Sequence, residues 1–403
     1  VKCSFKAIPF KSSLSFEYLI KEIKKIASQV EHPMKTQAKT ILKKIANIPE
    51  LENEITALTI IDKHKSLVKH LMAFVMNPMD DNTVLSSVNA PFYPKSFHCT
   101  NLFANTFGGE SRNIELAKDL DQDNMFLAII YQAFLIIMTR FYSFDFDASI
   151  PFIFKLTEAN NSEKYYKMLI NSDYADVKVH GKLKKLSKQG LKSLFNRSDD
   201  LDYWNEQIPL HKFEFKGFLH FTYIDVTHEY VVSQLKSDLL NKNTIITQDG
   251  FDRIQDKVRT LIGVPDLQFG LATFSEFDSI LNKQVIWKSI IPQSELKCGE
   301  YVGTLYEKAY RSKDIVLTDD LRKLKKNKAI NLFLARGIQS HAVVPLVLDK
   351  EIVGMMEFGA KKPGQLNMFQ IKRLHELYPV FAVALQRSKE ELTNRIRAII
   401  QKE

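Results

Sequence analysis

Two apolar runs in the last quarter of the chain constrain its fold more than any other feature. They stand in "SHAVVPLVLDKEIVGMMEFG" and are separated only by Asp349 and Lys350. Because nearly every position is apolar, both faces of these strands must be covered, as at the centre of a sheet with helices on each side. Pro345 lacks an N–H group and predicts a bulge or kink, while Gly354 and Gly359 suit a close backbone approach or a strand end. The sequence therefore predicts a central β-hairpin.

The composition describes a folded protein of more than one domain. The 403 residues are 45% hydrophobic and 11% aromatic, which is enough for two or three packed cores. The net charge of +9 permits contact with an anionic partner without requiring one. The clearest basic segment, residues 178–192, contains no arginine and no aromatic residue for base stacking. It is typical of a solvated helix face, and we expect no nucleic-acid partner.

The cysteines and the apolar segments indicate in which cellular compartment the chain is expected. Cys3, Cys99 and Cys298 are far apart and lie in no disulfide or zinc spacing, so we expect a reducing cytoplasm and no metal site. The longest apolar run, residues 125–138, is shorter than the roughly 20 residues that cross a bilayer and predicts a buried helix. No membrane contact is expected. No GxxxxGK[ST], GxGxxG or HExxH motif occurs.

The apolar spacing in the first half of the chain predicts a mainly helical domain. Residues 1–205 form the predicted N-terminal domain, with polar helices over 165–195 and a buried helical block over 114–141. Residues 206–229 link it to the next domain, and alternation in "FEFKGFLHFTY" predicts one strand there. The residues carrying the first helical stripes are Leu19, Ile20, Ile23, Ile26, Ile41, Leu42, Ile45, Leu67, Leu71, Phe74 and Val75.

The second half alternates between helical and strand periods. Helices are predicted at 227–240, 249–262 and 299–311. Strands are predicted at 267–274 and 284–291, followed by the short strand "DIVL" and the hairpin. A long closing helix follows, packing on the sheet through Phe369, Leu374, Leu377, Phe381, Ala384 and Leu385.

Residues 333–388, "FLARGIQSHAVVPLVLDKEIVGMMEFGAKKPGQLNMFQIKRLHELYPVFAVALQRS", resemble the second half of a GAF domain. The shared features are a Gly-Ile-x-Ser strand start, a Val-Pro-Leu strand and a Val-Gly-x-x-x-Phe strand before the closing helix. The preceding elements occur in the order that this family expects. The resemblance extends over residues 230–390, with 391–403 as the start of a truncated signalling helix.

The resemblance implies an α+β fold. We expect a mainly helical N-terminal domain, then a GAF-like domain with a six-stranded antiparallel sheet and helices on both faces, then a projecting C-terminal helix. In this family a small molecule often lies between the sheet and the shorter helices, and the terminal helices commonly pair two subunits. We therefore expect a small-molecule ligand and a homodimer. Because the chain starts at Val1 and stops at Glu403 within a helical pattern, we also expect a fragment of a longer protein.

The known ligand chemistries of the family leave the ligand unassigned. The region "AINLFLARGIQSH" holds no cysteine for a covalent bilin, and the acidic end of the cyclic-nucleotide signature is missing after Phe369. His341 and His375 are the histidines of the last hundred residues, and neither occupies an evident heme-ligand position. Aromatic walls with a few polar anchors suit an organic ligand. The pocket candidates are Trp287, Tyr301, Tyr306, Arg336, His341 and Phe358.

The closing helix carries a stripe that needs a partner. It runs past the end of the domain at three- and four-residue spacing, which favours a helical dimer. We predict a non-enzymatic sensory or regulatory module that relays through its terminal helices. The alternatives are a ligand-free scaffold for dimerisation or docking, and a GAF-fold enzyme such as a methionine sulfoxide reductase, which needs more than the isolated Cys298. The predicted dimer residues are Leu385, Leu392, Ile396 and Ile399.

Overall fold

The computed structural model describes the chain in twelve segments that form two compact units. The first unit comprises Val1–Leu156 and Tyr166–Asp225, and the second comprises Thr157–Tyr165 and Val226–Glu403. The described residues are 1–55, 59–76, 78–92, 96–107, 122–144, 152–157, 163–241, 248–274, 283–284, 289–292, 294–296 and 300–401.

The helices of the first unit follow the predicted apolar stripes. In the helix Glu17–Ser28, Leu19, Ile20 and Ile23 are buried at helical spacing. The predicted block over 114–141 is a helix from Gln122 to Tyr142, and residues 108–121 lie outside the described residues. The helices are α1 (Glu17–Ser28), α2 (Lys35–Ile45), α3 (Pro49–Glu52), α4 (Thr59–Lys63), α5 (Lys65–Met72), α6 (Asn101–Phe107), α7 (Gln122–Tyr142), α8 (Lys188–Phe195) and α9 (Leu201–Gln207).

The first unit also contains two sheets, which the helical interpretation did not include. One has the strand order β2-β1-β8-β7 and the other the order β4-β3-β9-β6-β5. The strands are β1 (Lys11–Ser15), β2 (Glu54–Ile55), β3 (Leu85–Asn89), β4 (Ser96–Cys99), β5 (Phe152–Thr157), β6 (Glu163–Asn171), β7 (Ala175–Val179), β8 (Phe213–Gly217) and β9 (Leu219–Asp225).

Two local predictions for this unit are wrong. Residues 165–195 are not a run of polar helices, because β6 and β7 precede α8 and bury alternate residues such as Tyr166 and Met168. The stretch "FEFKGFLHFTY" is not one strand. It breaks after Gly217, and its halves β8 and β9 belong to different sheets. The two-residue period runs through both halves, so it could not reveal the break.

The second unit keeps the predicted order of elements. The helix at Asp249 begins one residue earlier, and its predicted face is buried through Phe251, Ile254, Val258 and Leu261. Its helices are α10 (Thr227–Leu240), α11 (Gln248–Ile262), α12 (Leu305–Ser312), α13 (Lys328–Ala335), α14 (Met368–Lys372) and α15 (Tyr378–Ile400). Its strands are β10 (Gln268–Phe274), β11 (Lys283–Gln284), β12 (Val316–Thr318), β13 (Ser340–Leu348) and β14 (Glu351–Ala360).

The predicted hairpin is confirmed as the centre of this sheet. The strand order β11-β10-β14-β13-β12 puts β13 and β14 in the interior, and all pairings are antiparallel. The register shifts between Leu346 and Val347, next to Pro345. Pro345 is tolerated because β12 pairs with β13 only as far as Val343. A Cβ on Gly354 would lie 2.5 Å from the Ala272 carbonyl oxygen, which confirms the predicted close approach.

Helices cover both faces of the sheet, and the α+β class is confirmed. One core joins the sheet to α10, α11 and α15, and another joins it to α12 and α13. Five strands are described where six were expected. The closing helix is interrupted, because α14 and a 3₁₀ turn at His375–Leu377 precede α15. Phe369 is 72% exposed, so its predicted packing on the sheet is wrong.

Candidate functional site

One face of the β13–β14 hairpin carries polar side chains in an otherwise apolar core. Side chains alternate between the two faces of a strand, so Met356 and Phe358 lie on the face covered by α10, α11 and α15. Glu357 lies on the other face, and its register partner is Val343. His341 pairs with Gly359, two residues further along, and is therefore a diagonal neighbour of Glu357 on the same face. Both side chains are fully buried.

The Glu357 carboxylate is held by the segment that follows β11. The Ser289 hydroxyl donates to Glu357 Oε1 at 2.9 Å and is also 3.2 Å from Oε2. The Ile290 backbone N–H donates to Oε2 at 3.2 Å. A carboxylate is expensive to bury unless it accepts such hydrogen bonds. These hydrogen bonds fix the position of the Glu357 carboxylate, which is called the polar anchor below.

Aromatic rings surround this anchor. Tyr301 and Tyr306 meet edge to face with ring centroids 5.3 Å apart. The His341 ring lies 4.1 Å from Phe333 and 6.1 Å from Tyr306, measured between centroids. Burial raises the pKa of Tyr306 well above its ordinary value, and the nearby Glu357 carboxylate acts in the same direction. The Tyr306 hydroxyl therefore stays protonated and can donate a hydrogen bond at neutral pH.

The structure brings three predicted pocket residues together and places Phe358 and Arg336 elsewhere. Tyr301, Tyr306 and His341 share this core. Phe358 lies on the opposite face of the sheet, because it follows Glu357 directly in a strand. Arg336 ends α13, and its Nη2 atom donates to Glu295 Oε1 at 2.6 Å.

Two further predictions concern residues outside the described ones. Trp287, the remaining pocket candidate, falls there, and so does Cys298, the cysteine that the enzyme alternative requires. Among the residues that the structure describes, no group of three or more His, Cys, Asp or Glu side chains is placed to hold a metal ion.

The four predicted dimer residues all belong to α15. Leu385 is fully buried in its own unit, where it packs against Gly354, and is therefore a core residue. Leu392, Ile396 and Ile399 continue along the helix, and their side chains lie outside the described residues.

Glu357 and Ser289 were not among the residues predicted from the sequence. Glu357 could have been found from the sequence, because an acidic residue inside "GMMEFG" is unusual in a strand that is covered on both faces. Ser289 carried no such signal. Its role depends on a long-range contact between a loop and a strand 68 residues later.

The arrangement can recognise a polar group. Glu357 accepts hydrogen bonds, Tyr306 donates one, and the His341 imidazole can do either. The rings of Tyr301, Tyr306 and Phe333 can pack against a flat or apolar body.

Several solved structures are similar to part of this chain. Among solved structures, the chain is similar to the GAF domain from Acinetobacter phosphoenolpyruvate-protein phosphotransferase, at 14% identity over 41% of this chain and 95% of that chain, with a TM-score of 0.30. It is similar to free methionine-R-sulfoxide reductase from Neisseria meningitidis in complex with its substrate, at 16% identity over 41% of this chain and 91% of that chain, with a TM-score of 0.28. A third is the cyanobacteriochrome TePixJ GAF domain, at 23% identity over 33% of this chain and 84% of that chain, with a TM-score of 0.26.

A search of curated protein sequences finds no significant match. In the described part of the chain, every helix is too short or too polar to cross a bilayer. The GAF domain family model matches residues 288–386, which span β12 to β14 and the start of α15. The chain therefore contains a GAF domain.

Proposed function

We propose that the chain is a non-enzymatic, cytoplasmic regulatory protein whose GAF domain senses a small polar molecule. The observation that carries the proposal is the fully buried Glu357, held by Ser289 and Ile290 among tyrosine, phenylalanine and histidine rings. Apolar side chains at this position would stabilise the sheet at a lower desolvation cost. We propose that this carboxylate is the group that recognises the ligand.

The signal in this proposal leaves through α15. This helix packs on the sheet face opposite to Glu357, so a change in β14 is transmitted directly to it. Beyond the core residue Leu385, the apolar residues Leu392, Ile396 and Ile399 continue the stripe in the sequence. We propose that this stripe forms the homodimer through which the domain acts.

The second candidate is a ligand-free scaffold. It is favoured by the full burial of Tyr301, Tyr306 and Phe333, each at most 1% exposed, because rings packed this closely can fill a pocket themselves. The scaffold would use the GAF fold only for dimerisation or docking. A sulfoxide reductase ranks below both, because Cys298 has no neighbouring cysteine in the sequence.

Native mass spectrometry of the purified chain, followed by denaturation and analysis of released compounds, tests the proposal. We expect one defined compound per protomer, and Glu357→Gln to reduce its occupancy about tenfold, the effect of losing a charge-assisted hydrogen bond. Glu351→Gln is the matched control, since it makes the same change at an exposed position of β14. Tyr306→Phe removes a single hydroxyl and serves as a second variant if Glu357→Gln is poorly folded by circular dichroism.

Two outcomes would contradict the sensor. Equal occupancy in wild type and Glu357→Gln would place the ligand elsewhere. Wild-type protein without any released compound, together with unchanged stability of Tyr306→Phe, would favour the scaffold.

A further inference from the structure

A large cavity lies within the first unit, separate from the GAF domain. Its volume is about 1080 Å³. The wall on one side comes from α5, and the other comes from β4 and the start of α6. This volume is at the upper end of the range of about 300–1,000 Å³ typical of small-molecule sites. The cavity is large enough for an organic compound.

The lining divides into an apolar wall and a cationic edge. Val68, Met72 and Phe97 are buried side chains of the wall. Lys65 and Lys69 stand four residues apart on α5, so they lie on the same side of the helix and both line the cavity. Lys69 forms no ion pair with any residue in the described part of the chain. Its charge is therefore available to a ligand.

The acidic group at this edge is already engaged. Asp81 lines the cavity, and its Oδ1 atom accepts a hydrogen bond from the Asn101 backbone N–H at 2.9 Å. Its Oδ2 atom accepts another from the Asn101 side-chain amide. These bonds join Asp81 to the start of α6. Its carboxylate thus has a structural role, and the Lys69 charge is only partly offset.

His98 lines the cavity close to the two lysines. Burial lowers its pKa to about 4, and the positive charges of Lys69 and Lys65 act in the same direction, while Asp81 opposes them. The imidazole is therefore neutral at neutral pH. It can donate or accept a hydrogen bond beside the two lysines. The lysine charges beside His98 would favour an anion at this edge of the cavity.

We propose that this cavity binds a small organic anion with an apolar body. Lys69 and Lys65 would hold the anionic head, His98 would hydrogen-bond it, and the wall formed by Val68, Met72 and Phe97 would take the body. This second site does not depend on the ligand of the GAF domain. It gives the N-terminal unit a sensing role of its own.

Isothermal titration calorimetry of the full chain tests the site with three probes. Hexane-1-sulfonate combines a permanent anion with an apolar body, 1-hexanol supplies the body alone, and inorganic sulfate supplies the head alone. We expect hexane-1-sulfonate to bind at one site per chain and at least tenfold more tightly than either other probe. Lys69→Gln should weaken it about tenfold, the effect of a charge-assisted contact.

Lys39→Gln is the matched control. Lys39 is exposed on α2 of the same unit and does not line the cavity, so this variant loses the same charge without touching the site. Ala104→Phe reduces the cavity volume while keeping both lysines and should also weaken binding. Equal weakening by Lys39→Gln, or no weakening by either cavity variant in protein that is folded by circular dichroism, would overturn the proposal.

Discussion

At the scale of single residues, Gly217 decides how the first unit is built. Its φ of +132° lies where other residues are strained. A Cβ there would lie 2.2 Å from the Tyr174 carbonyl oxygen and 2.8 Å from the Ala175 Cα. The atoms that a Cβ would meet belong to the backbone at the start of β7, which pairs with β8 at this point. Gly217 also marks the point where the chain leaves one sheet and enters the other.

We therefore expect Gly217→Ala to lower the free energy of unfolding by about 3 kcal/mol, from the combined effects of backbone strain and overpacking. Gly181→Ala is the control in the same unit. Gly181 has a φ of +93° with nothing within 4 Å of a Cβ, so only the strain of about 1 kcal/mol applies. Urea unfolding followed by circular dichroism measures both. Equal losses would show that the close contact at Gly217 is easily relieved.

At the scale of elements, the β13–β14 hairpin turns through two residues in the left-handed region. Asp349 has a φ of +50° and Lys350 a φ of +69°. A two-residue turn of this kind matches the twist of the strands and is usually made by Asn-Gly or Asp-Gly. Lysine at the second position is strained. The apolar strands, which carry most of the domain core, impose this turn despite its local cost.

Relieving that strain gives a prediction for the hairpin. Lys350→Gly should stabilise the GAF domain by about 0.5–1 kcal/mol, because glycine adopts a positive φ without a clash. Lys350→Val should destabilise it by a similar or larger amount, because β-branched residues are disfavoured there. The Lys350 side chain is exposed to solvent, so neither substitution changes the packing of the core. Thermal unfolding that ranked Val above Gly would contradict the assignment of the turn.

At the scale of the whole molecule, the chain consists of two compact units, each with its own candidate site. The polar cluster around Glu357 belongs to the second unit and the cavity beside Lys69 to the first. A protein that combines two input sites with a continuing helix is typical of a regulatory element. In the proposed function, a homodimer formed through α15 would link these two sites to an output.

We predict a homodimer formed through the stripe of α15. Ile396→Glu places a charge in an apolar helical seam and should weaken dimerisation at least tenfold, because an unpaired buried charge is costly. Asn394→Glu adds the same charge at an exposed position beside the stripe and should leave the dimer intact. Analytical ultracentrifugation over a range of concentrations measures both. A wild-type monomer, or equal effects of the two variants, would remove the dimer from the proposed function.

The elements with a local periodicity could be predicted from the order of the residues alone. Apolar stripes gave the positions of α1, α11 and α15, and the two apolar runs around Asp349 predicted the central hairpin, because burial on one or both faces repeats within a single element. Tertiary structure alone decided the rest. Four features depend on residues that are far apart in the chain. They are the break at Gly217, the sheets containing β6 and β7, the contact of Ser289 with Glu357 and the cavity beside Lys69. Such contacts depend on which segments of the backbone pack together in three dimensions. A local sequence pattern does not contain that information.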